Sequence, residues 1–238
     1  MKITKTTTAA FLAGATTLAV SLPAFSQERE YDLTGFNSVD VSAGLSVELE
    51  IGPDFEVVAE ASNNRTLKQL DITVRGDKLI VSRDSGWLDF SLFSARRDAT
   101  IRITLPDLTA IQASSGADVF VTGDYGDSLR ASTSSGAELD LENVSGQSLR
   151  FKASSGSELR AQGECGALDV SSSSGASIRV DELSCNVVDA TASSGSDIRA
   201  FASKSAVAHA SSGGGVRITG SPEQIERSES SGGSVKVN

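Results

Sequence analysis

Ser114-Ser115-Gly116-Ala117-Asp118-Val119-Phe120-Val121 returns twenty residues later as Ser134-Ser135-Gly136-Ala137-Glu138-Leu139-Asp140-Leu141. The Ser-Ser-Gly triplet starts again at Ser154, Ser173, Ser193, Ser211 and Ser230, so seven copies stand 20, 20, 19, 20, 18 and 19 residues apart. A period this short and regular marks one structural unit stacked on itself. The third residue after each Gly is Val119, Leu139, Leu159, Ile178, Ile198, Val216 or Val235. The fifth is Val121, Leu141, Ala161, Val180, Ala200, Ile218 or Val237. The seventh and fifth residues before the Gly are mostly apolar too, until the last copy puts Arg227 in the nearer position. Polar residues fall between. Period-2 alternation on both sides of a turn describes two strands that share one buried face.

Each unit reads as strand, tight Ser-Ser-Gly corner, strand and a looser turn of about seven residues. The residue after the Gly is always Ala, Ser or Gly, as a close-packed corner requires. The Gly itself is expected to hold a backbone conformation that a Cβ would forbid, and the paired serines to form hydroxyl ladders. One unit buries too few side chains to offset the cost of ordering its backbone. Stability comes only when neighbouring coils share a core and a hydrogen-bond ladder. Stacking in register makes equivalent strands parallel, and parallel crossovers are overwhelmingly right-handed. The expected fold is therefore all-β: a right-handed parallel β-helix, or β-solenoid, of about seven 18–20-residue coils.

The front of the chain follows the same pattern loosely. With Gly44 of Ser42-Ala43-Gly44 as reference, Val39 and Val41 precede the corner and Val47 and Leu49 follow it, so 36–51 reads as a degenerate coil. Residues 55–61, 70–75, 78–83 and 99–105 read as strands and Asn63–Gln69 as one helical turn. Residues 84–97 break the pattern and carry Trp87, Phe90 and Phe93. Before all this, Lys2 and Lys5 precede an apolar, Ala- and Thr-rich stretch and a small-residue site ending at Ser26, the layout of a cleaved signal peptide. The expected organisation is a signal peptide at 1–26 and a single solenoid domain at 27–238. Degenerate coils and a hairpin occupy 27–108, and regular coils occupy 109–238.

Loss of Lys2 and Lys5 with the leader takes the formal net charge from −10 to −12. That balance argues against nucleic acid, which needs clustered Lys and Arg, and against anionic membrane surfaces. No later segment is long and apolar enough to be a transmembrane helix. The expected location is periplasmic, outer-surface or extracellular.

Phe36-Asn-Ser-Val-Asp-Val-Ser-Ala-Gly-Leu-Ser-Val-Glu-Leu, the Gly76-Asp-Lys-Leu-Ile-Val hairpin, Ile103-Thr-Leu-Pro-Asp-Leu and the Ser-Ser-Gly coils together resemble the putative auto-transporter adhesin family with the head GIN domain. The resemblance spans about residues 36–238. It implies a right-handed β-helix, export to the bacterial envelope or beyond, and no known catalytic residues.

Several constellations bear on function. Cys165 and Cys185 each sit ten residues before the next triplet Gly, so stacking brings them within disulfide reach in an oxidising compartment. No Cys-x-x-Cys redox motif is present. Two residues after the Gly stands an acidic column, Asp118, Glu138, Glu158, Ser177, Asp197. Four residues after it stands a column that turns basic: Phe120, Asp140, Arg160, Arg179, Arg199, Arg217, Lys236. The plain reading is a solvated, partly self-neutralised face. The sharper reading is a cation or carbohydrate surface at Asp118, Glu138, Asp140 and Glu158, where the basic column is missing and Ca²⁺ is the metal to consider. Paired carboxylates on adjacent coils also allow a polysaccharide-cleaving enzyme, a lyase or glycoside hydrolase, although regular stacking produces such spacings without selection for chemistry. The sole histidine, His209, falls at an outward position, and no Gly-x-Ser-x-Gly elbow accompanies it. The aromatic residues Trp87, Phe90 and Phe93 are expected to cap the core or to contact a partner or sugar.

The resulting expectation is an exported, non-enzymatic, adhesin-like binding or structural protein that needs no cofactor. A glycan or a surface protein is its expected partner, and the polysaccharide-active β-helix enzyme is the alternative. The last coil finishes on Val235-Lys236-Val237 with no visible cap, so association between copies is expected as well.

Overall fold

A computed structural model describes residues 27–83 and 99–238. The predicted leader and the segment with Trp87, Phe90 and Phe93 lie outside the described residues. In chain order the elements are β1 (Gln27–Glu30), β2 (Ser38–Val41), β3 (Ser46–Ile51), β4 (Glu56–Ala61), α1 (Asn64–Gln69), β5 (Leu70–Arg75), β6 (Lys78–Arg83) and β7 (Ala99–Leu105). Then follow β8 (Ala110–Ala113), β9 (Asp118–Thr122), β10 (Ser128–Thr133), β11 (Glu138–Ala153), β12 (Glu158–Ser172), β13 (Ser177–Ala192), β14 (Asp197–Ala210), β15 (Gly215–Thr219), β16 (Gln224–Glu229) and β17 (Ser234–Val237).

From β8 onward every pairing between coils is parallel and in the expected register. Val119 stands on Leu139, Leu139 on Leu159, Leu159 on Ile178, Ile178 on Ile198, Ile198 on Val216 and Val216 on Val235. These side chains and their alternating partners are buried in one continuous core. The β-solenoid makes about six turns rather than seven, since seven corners enclose only six complete corner-to-corner circuits.

Both central residues of each corner are left-handed. Ser115, Ser135, Ser155, Ser174, Ser194, Ser212 and Ser231 have φ of 48–55°, and the glycines after them 69–79°. The residue after the Gly donates its N–H to the carbonyl of the first Ser, as in Ala117 N to Ser114 O at 3.1 Å. Positive φ at both central positions of a closed four-residue turn is the type I′ signature. The expected hydroxyl ladder is not what joins the corners. The Gly N–H of one corner donates to the second Ser carbonyl of the next: Gly116 to Ser135, Gly136 to Ser155, Gly175 to Ser194, Gly195 to Ser212. A left-handed serine costs roughly 1–2 kcal/mol, and this backbone ladder offsets it. Ser157 and Ser196, directly after the Gly, are buried, and their hydroxyls meet Thr133 Oγ1 and Ser172 O.

The looser turn also differs from expectation. β11, β12, β13 and β14 run as strand through it, with register shifts such as that between Leu141 and Val144. The bend is made within the strand, at Asn143 (φ 57°) and Gly163 (φ 136°). A Cβ on Gly163 would lie 2.1 Å from Val144 O, so the bend depends on that glycine.

The front half stacks out of chain order. β2 and β3 lie directly on β8 and β9, with Val39 on Ile111 and Val47 on Val119. On their other side lie β6 and β7, with Val41 on Val81 and Leu49 on Ile103. The degenerate coil at 36–51 is thus sandwiched between a layer earlier in space but later in sequence and the first regular coil. The end is closed by antiparallel pairing of β5 with β6, β4 with β7 and β1 with β4. Helix α1 is capped by Asn63, whose side chain accepts from the N–H groups of Arg65 and Thr66 at 3.0 Å each, and it buries Leu67. At the opposite end β16 is exposed along its whole length. There Arg227 stands on Ala208 and Ile225 on Ala206, and the Glu229 carboxylate accepts the Val235 N–H at 2.7 Å.

Candidate functional site

The outward side chains just after each corner form two parallel columns. Asp118, Glu138, Glu158, Ser177, Asp197, Gly215 and Ser234 stack in one; Phe120, Asp140, Arg160, Arg179, Arg199, Arg217 and Lys236 stack in the other. Neighbouring coils lie about 4.8 Å apart, so charges along a column are close enough to interact strongly.

Neutralisation is confined to the middle of the face. Arg160 reaches Asp140 at 3.4 Å and Glu158 at 2.8 Å, and Arg179 reaches the same Glu158 oxygen at 2.6 Å. Those two Glu158 contacts are ion pairs by distance without hydrogen-bond alignment. Partial burial pulls Arg160 down, but Glu158 and Asp140 outweigh it and hold the guanidinium above its ordinary pKa. Asp118 and Glu138 are exposed and hold no ion pair among the described residues. Arg199, Arg217 and Lys236 likewise have no carboxylate at ion-pair distance among the described residues. The face therefore carries bare acids at one end, a neutralised middle and bare cations at the other.

The family model for "putative auto-transporter adhesin, head GIN domain" matches residues 35–222. The chain belongs to this family. Three solved structures are similar in fold over 90% of the chain: a putative adhesin from Bacteroides fragilis (19% identity, TM-score 0.81, 97% of that chain covered), a putative adhesin from Parabacteroides merdae (13%, 0.69, 96%) and a putative lipid binding protein from Parabacteroides distasonis (13%, 0.64, 96%). At such identities the likeness is one of fold. No curated protein matches the sequence.

Within the head GIN fold, the residues singled out from sequence separate into groups. Asp118, Glu138, Asp140 and Glu158 do share one face, in two adjacent columns. They do not assemble as a metal site: no group of three or more acidic, His or Cys side chains suited to a metal occurs among the described residues. Arg160 and Arg179 take the places a cation would fill beside Asp140 and Glu158. Cys165 and Cys185 stand opposite each other in β12 and β13 and form a disulfide, with Cα atoms 4.4 Å apart. In a chain-entropy account, closing a loop of this size stabilises the fold by about 3 kcal/mol. Trp87, Phe90 and Phe93 lie outside the described residues. His209 stands on Thr191 with Ser228 beyond it.

The basic end is what the sequence reading undervalued. Its signal was present: the acidic column stops at Gly215 and Ser234 while the basic column runs on to Lys236. A Cβ on Gly215 would lie 2.6 Å from Asp197 Oδ1, so this glycine leaves room for the Asp197 carboxylate over the next coil. Here lies a hollow of about 400 Å³ lined by Arg179, Arg199, Arg217 and Lys236 together with Asp197 and Gly215. A second hollow, of about 460 Å³, lies across the arginine ridge and is lined by Asp140, Glu142, Asp181 and Glu182 as well as Arg160.

Proposed function

We propose that this head GIN protein is exported by its N-terminal leader and works by binding, as an adhesin-type protein of the bacterial envelope or extracellular space, without turning over its ligand. Membership of the family over residues 35–222 carries the reading. The architecture supports it. A stacked coil presents long, rigid columns of outward side chains at a fixed spacing, which suits contact with an extended partner more than enclosure of a small substrate. Among the described residues no helix is long and apolar enough to cross a membrane.

A glycan chain or a surface protein is the partner class we favour. The exposed strand β16 is where a second copy would add. The test is capture of defined glycans and envelope proteins by the immobilised 27–238 chain, with turnover assayed on a polysaccharide panel. Capture without product is the expected result. Release of new reducing ends or unsaturated sugars that disappears in an Asp140→Asn, Glu158→Gln variant of unchanged fold would establish the enzyme alternative instead.

A further inference from the structure

We infer that the ligand of this face is an acidic polysaccharide, held in the hollow along Arg179, Arg199, Arg217 and Lys236. The inference rests on the binding reading above and gives it a ligand class.

The cations carry the first part. Arg199, Arg217 and Lys236 stand in successive coils, in register, with no carboxylate at ion-pair distance among the described residues. Three like charges stacked at about 4.8 Å repel one another. A fold that keeps them adjacent without neutralising them loses stability unless an anion comes in from outside. Elsewhere on the same face the chain does supply counter-charges, as Glu158 does for Arg160 and Arg179. Their absence beyond Arg179 is a local departure from the chain's own habit.

The shape carries the second part. Gly215 removes an outward side chain where the earlier coils carry Asp118, Glu138, Glu158, Ser177 and Asp197, and the trough runs past it beside the cations. Its charged lining is four cations against the single carboxylate of Asp197. Glu142, Asp181 and Glu182 line the far side of the ridge, so an anionic chain is confined to the glycine side. The remaining acids of this net-negative chain act weakly here, because salt screens charges beyond about 8 Å.

The periodicity selects the ligand class. A row of single cations, one per coil, matches a linear polymer with one anionic group per repeating unit. A coil rise of about 4.8 Å is comparable with the advance of one sugar in an extended polysaccharide. Carboxylate or sulfate groups would accept the guanidinium donors side-on, in bidentate fashion where the angle allows. A duplex or a planar bilayer needs a broad basic surface; this strip is one residue wide and bordered by acids.

The test measures binding of the 27–238 chain to polygalacturonate, to heparin and to neutral dextran of similar length, at low and at physiological salt. The expected result is salt-sensitive binding to one or both charged polymers and none to dextran. Carboxylate recognition is distinguished from sulfate recognition by which charged polymer binds more tightly. Arg199→Glu with Arg217→Glu should weaken binding by about tenfold or more, since two charge-assisted contacts are lost and replaced by repulsion. Arg199→Gln with Arg217→Gln should do so in the same direction, with circular dichroism unchanged and melting no lower, since stacked like charges are removed. Arg130→Glu, in an outward column before the corner, should leave binding intact. Equal binding of dextran, or equal loss in the Arg130 variant, overturns the strip as the site. No binding of either charged polymer at low salt overturns the ligand class while leaving adhesion to a protein open. Salt-sensitive self-association that disappears on Asp118→Asn with Glu138→Gln assigns the cations to a second copy and also overturns the inference.

Discussion

In the coils around β11 the core is filled by Leu139, Leu141, Leu149 and Phe151; around β14 the same four positions are Ile198, Ala200, Ala206 and Ala208. On the outer face the contrast repeats with charge: Asp118, Glu138 and Asp140 at one end, Arg199, Arg217 and Lys236 at the other. Backbone, corner and register are shared throughout. The scaffold therefore fixes spacing and direction, and side chains decide both how thickly each coil is packed and what it attracts. The Cys165–Cys185 disulfide clasps the two coils between which the face turns from acidic to basic.

Substitutions that pit the two halves against each other should differ in a fixed order. Phe151→Ala empties the thick part of the core and should cost about 3–5 kcal/mol by urea denaturation. Val216→Ala, in the thin part, should cost distinctly less, and equal losses would mean that packing is not graded along the rod. Cys165→Ala with Cys185→Ala should remove about 3 kcal/mol without moving the register, and thiol titration under denaturing conditions checks that the native chain starts oxidised. Gly214→Ala comes next. Its Cβ would lie 2.7 Å from Ala192 O, although Ala occupies the equivalent place in the coils of Ala117 and Ala137. A loss of about 1–3 kcal/mol is expected from such overpacking, whereas Ala137→Gly in the earlier half should cost less than that.

The smallest effect concerns pH. Burial, then the charge of Glu142, pushes the Tyr125 hydroxyl up, while its own hydrogen bond runs to Val121 O at 2.9 Å. Its neutral form is favoured in the fold. The contribution is intact below the ordinary tyrosine pKa of about 10. It is lost as pH rises above that value, because the unfolded chain ionises first. Tyr125→Phe should flatten this alkaline loss in a melting series; an unchanged slope would place its origin elsewhere.

Much of the fold was legible because the repeat is written in residues that face the core. The alternation at Val119/Val121 and Leu139/Leu141 fixes which face is buried, and the equal offsets of Cys165 and Cys185 bring them together. Three features were not legible for physical reasons. The left-handed serines at the corners look like ordinary turn residues, and only the carbonyl ladder between coils explains them. The placement of β6 and β7 outside β2 and β3 reverses chain order, which no local pattern encodes. The strands that run through the second bend depend on backbone conformation at Asn143 and Gly163, not on hydrophobic periodicity. As for the face, both charge columns could be read off the sequence. Which charges neutralise each other could not, because that depends on side-chain reach between coils: Arg160 and Arg179 both turn to Glu158, and Arg199 does not.

The most direct measurement is an NMR perturbation map of the 27–238 chain titrated with polygalacturonate oligomers. Changes are expected only at Arg179, Asp197–Arg199, Gly214–Arg217 and Ser234–Lys236, with Asp118, Glu138 and Asp140 silent. Changes centred on the acidic end, or spread evenly around the coils, would contradict binding along the basic strip.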